Sequence, residues 1–298
     1  MSHLSPELRY EAYEKLEGAN FSTTKELDRS PTHYLHALEN GRELTGPLEV
    51  GLGTHLAVFE PVRFKEEVAI WPDAQGRRFG KAWDAFVAQA RLDGKLILRE
   101  KDRELVLRLA DAVHASPQAR EYLALKGEAE KAFQWTEDVG GEKVRCKGRL
   151  DWRCPRGILD LKSVQDASPD GFGRAALKYL WYLQGAWYQR GDAASNKGVV
   201  LPFAFCAVEK AEPHVVQVYT LEDEALELGN SKMDELLGKL VELRKTWKQR
   251  RGWPGYSREA MSLQLPAWAW GPAGEASIEM LDDEDEGHGQ EPGQEEQG

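Results

Sequence analysis

Little in this chain suits a disulfide-built, iron–sulfur or membrane-embedded protein. Its 298 residues include only three cysteines, Cys146, Cys154 and Cys206. An odd number without metal-type spacing reads as reduced thiols in a cytoplasmic protein. An iron–sulfur cluster usually takes about four cysteines, which excludes that cofactor. No apolar run approaches the roughly 20 residues of a membrane span, so no membrane partner is expected. The first residues, MSHLSPELRYEAYEKL, lack a basic region followed by an apolar stretch, and are not expected to be a secretory signal. Positive charge is also short: 39 Lys and Arg stand against 50 Asp and Glu, for a net charge of −11. That deficit is local. Residues 271–298 hold ten acidic residues and no Lys or Arg, so residues 1–270 are close to neutral and have room for basic patches. The segment reads as a disordered, solubilising acidic tail. The alternative is an acidic arm that competes with nucleic acid or docks a basic partner.

What is present points to a packed core. Hydrophobic residues make up 41% and there are ten tryptophans. The organisation expected is an N-terminal extension over residues 1–20, one domain over 21–270, and the tail. No internal repeat is visible. Helical signals dominate the first half. Ser22 reads as the N-cap of a helix to Asp28 or Arg29, and Ser30-Pro31 opens another that stops at Asn40-Gly41. Apolar residues at 48, 52, 56 and 59 space a helix from Leu48 to Phe59, ended by Glu60-Pro61. Further helices are predicted over Phe79–Ala90, over Arg103–His114 with Asp102 as cap, and from Ser116-Pro117 to about Leu125.

From Glu128 the pattern turns to strands. Ala132–Thr136 and Glu142–Arg153 flank the turn signal Asp138-Val-Gly-Gly141. In the second strand Val144, Cys146, Gly148, Leu150 and Trp152 are expected on one face; Arg145, Lys147, Arg149, Asp151 and Arg153 are expected on the other. A third strand covers Gly157–Ser163. Ser168-Pro169 opens a long helix to about Gly191. Two more strands, Val199–Val208 and Val215–Leu221, precede a helix over Glu222–Arg251 capped by Thr220. Its basic end interleaves with Trp247, Trp253 and Tyr256, read as a helix end packing on the core, with base stacking as the alternative. The order implies an α/β (α+β) fold, a mixed sheet with helices on both faces.

The chemistry concentrates in KGRLDWRCPRGILDLKS, from Lys147 to Ser163. If the chain turns about Pro155-Arg156, cross-strand partners have numbers summing to 311, which pairs Asp151 with Asp160. Two facing carboxylates repel, so a structural role explains them poorly, whereas a divalent cation between them reverses the sign. Lys162, two residues on, shares the face of Asp160. Carboxylates and one ammonium on one sheet face suit metal-assisted phosphodiester hydrolysis. The first hairpin leaves the register open between sums of 279 and 281, so Glu130 faces either Arg149 or Asp151; a salt bridge to Arg149 is its alternative role. The spacing D-x(8)-D-x-K is weak alone, and a solvated hairpin face is the competing reading. Basic neighbours of Asp151 suit a phosphate backbone. His55, on an apolar stripe with Leu52, Leu56 and Phe59, reads by itself as a core histidine. Gln184 and Tyr188 share a helix face.

Taken in order, these segments resemble the PD-(D/E)xK nuclease superfamily. Within it they resemble the RecB-like phage exonucleases, and most closely the exodeoxyribonuclease VIII (RecE-type) nuclease domain. The resemblance runs from about Phe21 to Tyr188. It includes Ser30-Pro31 with Tyr34, the Gly51–His55 helix segment, the Glu130–Trp135 strand, Gly148–Trp152, Asp160-Leu161-Lys162, and Gln184 with Tyr188. Ser163 stands where that family often has Thr. The resemblance implies that His55, Asp151, Asp160 and the Leu161 carbonyl bind Mg²⁺ or Mn²⁺. It implies that Lys162 orients or activates the attacking water, that Gln184 and Tyr188 position substrate or metal-bound water, and that Glu130 is a nearby acid. It further implies a double-strand DNA exonuclease, of 5′ to 3′ polarity, in the cytoplasm of a bacterial or phage-infected cell. A single-strand annealing partner and ring-shaped homo-oligomers belong to the same expectation. A RecB-like nuclease of flaps, single strands or internal sites is the runner-up, and a catalytically inactive DNA-binding recombination module the third reading.

Overall fold

Three helix starts follow directly from Ser-Pro pairs. In the computed structural model, which describes residues 13, 16–41, 45–72, 74, 76, 78–257 and 259–265, each Ser hydroxyl accepts a backbone N–H three residues on. Each Pro sits at the first helical position, where no donor is needed. These serines cap Pro31–Asn40, Pro117–Leu123 and Pro169–Lys178. In chain order the elements begin with α1 (Phe21–Thr24), a 3₁₀ turn (Lys25–Asp28), α2 (Pro31–Asn40) and α3 (Gly46–Phe59). Next come α4 (Pro61–Glu67), β1 (Val68–Trp71), α5 (Lys81–Leu92), β2 (Leu96–Arg99), α6 (Glu100–Ala115) and α7 (Pro117–Leu123). The second half holds β3 (Glu128–Val139), β4 (Glu142–Cys154), β5 (Gly157–Val164), α8 (Pro169–Lys178), α9 (Trp181–Ser195), β6 (Phe203–Glu209), β7 (Val216–Thr220) and α10 (Asp223–Lys245).

Several expected boundaries are corrected. Asn20, not Ser22, caps α1: its extended backbone puts Oδ1 2.9 Å from the Thr23 N–H. Asp102 lies inside the first turn of α6, paired with Arg99 at 2.6 Å, and Arg99 is the cap position. Glu222, not Thr220, precedes α10, which ends at Lys245 and gives way to a 3₁₀ turn over Trp247–Gly252. The long helix after Ser168 is two helices. Leu180 has φ 59, a left-handed conformation that ends α8 and redirects the chain into α9. The parallel pair β1–β2 was not expected from the sequence.

Five strands form one mixed sheet in the order β3-β4-β5-β6-β7. Neighbours are antiparallel except β5 and β6, which run parallel and are joined by the crossover through α8 and α9. One core lies on the sheet face covered by α9 and α10, built from residues such as Leu150, Ile158, Leu183, Trp187, Phe205 and Leu237. The other lies beneath α3 and α6, with Val58, Leu109, Leu159, Leu161 and Cys206. The expected mixed sheet with helices on both faces is therefore the observed one. Trp253 packs against the first core and meets Trp247 edge-on at 5.6 Å, but Trp247 and Tyr256 are exposed, so the expected inward packing holds for Trp253 alone.

The chain divides into two units, Met1–Tyr256 and Ser257–Gly298. In the second, the Glu259 N–H bonds the Ser257 hydroxyl at 3.1 Å. The acidic tail, and all of the N-terminal extension but Tyr13 and residues 16–20, lie outside the described residues. Among the described residues no helix is long and apolar enough to cross a membrane.

Candidate metal and catalytic centre

Two strand pairings build the site. β4 and β5 pair as Trp152 with Leu159, Arg153 with Ile158 and Cys154 with Gly157. The sum of 311 holds, and the ladder ends one step before Asp151 and Asp160. There the strands part. Instead of a backbone carbonyl, the carboxylate of Asp151 takes the Leu161 N–H, at 2.8 Å.

On its other side β4 pairs with β3 in the 281 register, for example Ala132 with Arg149 and Ala129 with Trp152. That register sets Glu130 opposite Asp151. The two are nevertheless unpaired in an otherwise continuous ladder, and Glu130 has φ 49. The register is the same on both sides, so no residue is inserted, yet the faces change. Leu150 belongs to the core beneath α9 and Trp152 to the core beneath α3. The uninterrupted alternation expected from Val144 to Trp152 is thus wrong at its last step. A local kink of this kind re-aims side chains, here Asp151 and Glu130. Upstream, Gly148 is needed because a Cβ there would collide with the Phe133 ring lying across it.

The kink and α3 bring three ligand-type side chains together. His55, Glu130 and Asp151 each offer an atom within 4.8 Å of the others. His55 Nδ1 is 3.3 Å from Asp151 Oδ2, and its ring meets Phe59 edge-on at 6.1 Å. Glu130 also pairs with Arg149 at 2.9 Å. Both roles weighed for Glu130 therefore coexist: it is salt-bridged, and it stands in the acidic cluster. Asp160 is not in this three-residue cluster. Its carboxylate is engaged by the Lys162 ammonium and by Gln184 Nε2, the latter at 2.9 Å. Lys162 in turn lies 5.4 Å from the Trp181 ring centroid and 5.5 Å from that of Phe205. Tyr188 lies one turn beyond Gln184 on α9 and packs edge-on against Phe133 at 6.4 Å. Leu161 contributes its N–H to Asp151 and buries its side chain in the second core.

Electrostatics separate the two aspartates. Burial works against ionisation of Asp151, but His55, Lys162 and the Leu161 N–H outweigh it and hold the carboxyl below its ordinary value. Burial dominates at Asp160, and with the nearby charge of Asp151 it overrides Lys162, raising the pKa to about 6. Glu130 is raised by burial against the pull of Arg149, with Asp151 adding to the rise. Burial opposes protonation of His55, yet Asp151, with Glu130 and Asp160, raises its pKa. Burial pushes Tyr188 well above its usual value and keeps it a neutral phenol. At Glu130 and Asp160 the neighbouring cations only partly offset burial, which leaves these two carboxylates short of positive charge. One imidazole and two carboxylates are also a donor set that suits a hard or borderline divalent cation, so the residues present fit the expected metal.

One feature of the site is not read from the sequence. Trp181 forms the floor under Lys162; its i, i+3 spacing to Gln184 is the signal available in the sequence. Arg149, expected either to face a phosphate backbone or to pair with Glu130, does pair with Glu130 at the border of the cluster.

The fold has relatives. A solved structure from Eubacterium rectale, provisionally named an exonuclease, superposes over 89% of this chain and 97% of its own, at 15% identity and TM-score 0.55. That degree of likeness speaks for a shared fold. A second solved structure, that of SSO0001, aligns over 75% of this chain and 84% of its own at 13% identity and TM-score 0.29, which carries no argument. No curated protein sequence matches. The profile of the family described as "PDDEXK-like domain of unknown function (DUF3799)" matches residues 20–265, and spans β3 to β5 with the whole of the fork. The chain belongs to this PDDEXK-like family, and its fold is that of the PD-(D/E)xK nucleases.

Proposed function

We propose that the protein is a metal-dependent deoxyribonuclease that resects double-stranded DNA ends, running 5′ to 3′ and leaving a 3′ single strand for recombination. The observation that carries the nuclease reading is the fork. Asp151, Asp160 and Lys162 stand where β4 and β5 separate, with His55 and Glu130 beside them. What supports the narrower exonuclease reading is the ordered set of RecE-type motifs, together with a fold shared with a protein named for that activity.

On this reading His55, Glu130 and Asp151 would hold Mg²⁺ or Mn²⁺, with Asp160 and the Leu161 carbonyl completing the set. A divalent cation there supplies Lewis-acid polarisation of the phosphodiester and a lowered pKa for water. The chain's own groups do the rest. Lys162 presents a fixed ammonium over an apolar floor and stabilises negative charge as it builds on the phosphoryl oxygens. Gln184 holds Asp160 in place, and Tyr188, a neutral phenol one turn along the same helix, faces the same side as Gln184. Arg149 orients Glu130. A single-strand annealing protein and a ring of copies threaded by the duplex fit the same proposal.

The test is digestion of end-labelled linear duplex beside closed circular duplex, with Mg²⁺. Loss of the linear form alone is expected. Cutting of the circle contradicts the exonuclease reading, and binding without cleavage under every divalent metal contradicts the enzyme.

A further inference from the structure

We propose that Tyr179 is a positioning residue that stacks on the base beside the scissile phosphodiester; this rests on the DNA-cleaving reading above. The argument starts at Lys162. Its ammonium lies over the Trp181 ring, and that ring is braced by Phe172 at 5.1 Å and Phe205 at 6.2 Å. Trp181 is also in contact with Tyr179, ring centroids 5.5 Å apart and 32° between planes. A continuous row thus runs from the reactive ammonium through a braced indole to Tyr179.

The end of that row is open. Tyr179 is 46% exposed and Leu177 65% exposed, in a chain that buries most of its other aromatics beside the site. Lys178 Nζ lies 5.7 Å from the Tyr179 ring. An exposed ring with rigid backing and an adjacent ammonium matches a nucleotide in both its parts: the ring takes the base, the ammonium the phosphate. Packing explains Trp181 but leaves Tyr179 and Leu177 facing solvent.

A second observation comes from the backbone. Leu180, between the two rings, has φ 59, a conformation disfavoured for a residue with a branched side chain. A continuous helix would set residues 179 and 181 about 200° apart around its axis. The left-handed residue breaks the helix and lets the two rings meet.

The test uses the full chain, a short duplex carrying 2-aminopurine at its terminal nucleotide, and three proteins: wild type, Tyr179→Ala and Tyr179→Phe. Binding is read in chelator, by anisotropy and by quenching of the base, and cleavage with Mg²⁺. Wild type and Tyr179→Phe are expected to quench the base. Tyr179→Ala is expected to lose the quench and to raise KM on the order of tenfold, with a smaller change in kcat. Tyr179→Phe also serves as the folding control. If wild type cleaves, and Tyr179→Ala keeps both quench and KM, the stacking role is overturned and the nuclease reading stands. If wild type neither binds nor cleaves DNA, the nuclease reading fails and this inference fails with it.

Discussion

The Leu161 N–H donates to the carboxylate of Asp151 at 2.8 Å, one step past the last backbone pair between β4 and β5. A side chain has taken the place of a ladder carbonyl, so the strands can separate without leaving a buried N–H unpaired. The same carboxylate oxygen faces His55 at 3.3 Å. One group therefore opens the sheet and charges the site.

Asp151→Asn separates those two tasks. Asn keeps an oxygen for Leu161 but removes the negative charge that does most to raise the His55 pKa. In metal-free protein the His55 titration, followed by NMR of the imidazole protons, is expected to move to lower pH in the variant. An unchanged midpoint would show that His55 and Asp151 are not coupled in solution.

Asp160 gives a pH dependence whose sign is fixed by its raised pKa. Its folded value of about 6 lies above the ordinary value of 3.8, so across that window the folded state holds more protons than the unfolded. Metal-free stability from this group therefore falls as pH rises through the window, and the loss is complete above about pH 6. Asp151, with a lowered pKa, runs the opposite way and loses its contribution as pH falls. Asp160→Asn should melt no lower than wild type in chelator at neutral pH. Each kcal/mol gained would appear as roughly 2–4 °C, with the advantage shrinking towards pH 4. A variant that melts clearly lower at neutral pH would mean that the ion pair with Lys162 outweighs burial.

Much of this centre was legible in the sequence because strand pairing is periodic. A turn placed at Pro155-Arg156 fixes the 311 sum, and the Gly140-Gly141 turn limits the other register to two choices, of which 281 is observed. Ser-Pro pairs locate three helix starts for equally local reasons. What the pattern hides is conformational. The apolar alternation from Val144 to Trp152 looks unbroken, yet the strand changes face at Asp151, because Glu130 on the neighbouring strand turns left-handed. The Leu180 break is hidden too, since Lys-Tyr-Leu-Trp contains neither Gly nor Pro. The partners of Asp160 depend on side-chain reach across three elements, which spacing alone does not give.

Lys162→Ala should remove charge stabilisation while sparing the ligands. Cleavage is expected to fall by about 10²- to 10³-fold, with far-ultraviolet circular dichroism retained. The double variant with Asp160→Asn should be scarcely slower than the slower single variant, because groups acting as a unit are not additive. Multiplicative losses would place the two residues in separate steps.

Arg149→Ala tests whether the ion pair with Glu130 orients this acid or merely neutralises it. The guanidinium lowers the Glu130 pKa against burial, so its removal should raise that pKa further. The expected outcome is weaker metal affinity at pH 6 that partly recovers at pH 8. A deficit equal at both pH values would assign Arg149 a purely geometric role.

The most direct test of the centre is a calorimetric titration of Mn²⁺ into chelator-stripped protein, comparing wild type, His55→Ala and Glu130→Gln. His55 and Glu130 come from elements far apart in the chain and meet Asp151 only in this fold. Both variants should bind Mn²⁺ at least about tenfold more weakly than wild type, with thermal melts that remain cooperative in chelator. Wild-type affinity retained in His55→Ala would contradict the account, because the cluster would then not be where the metal binds.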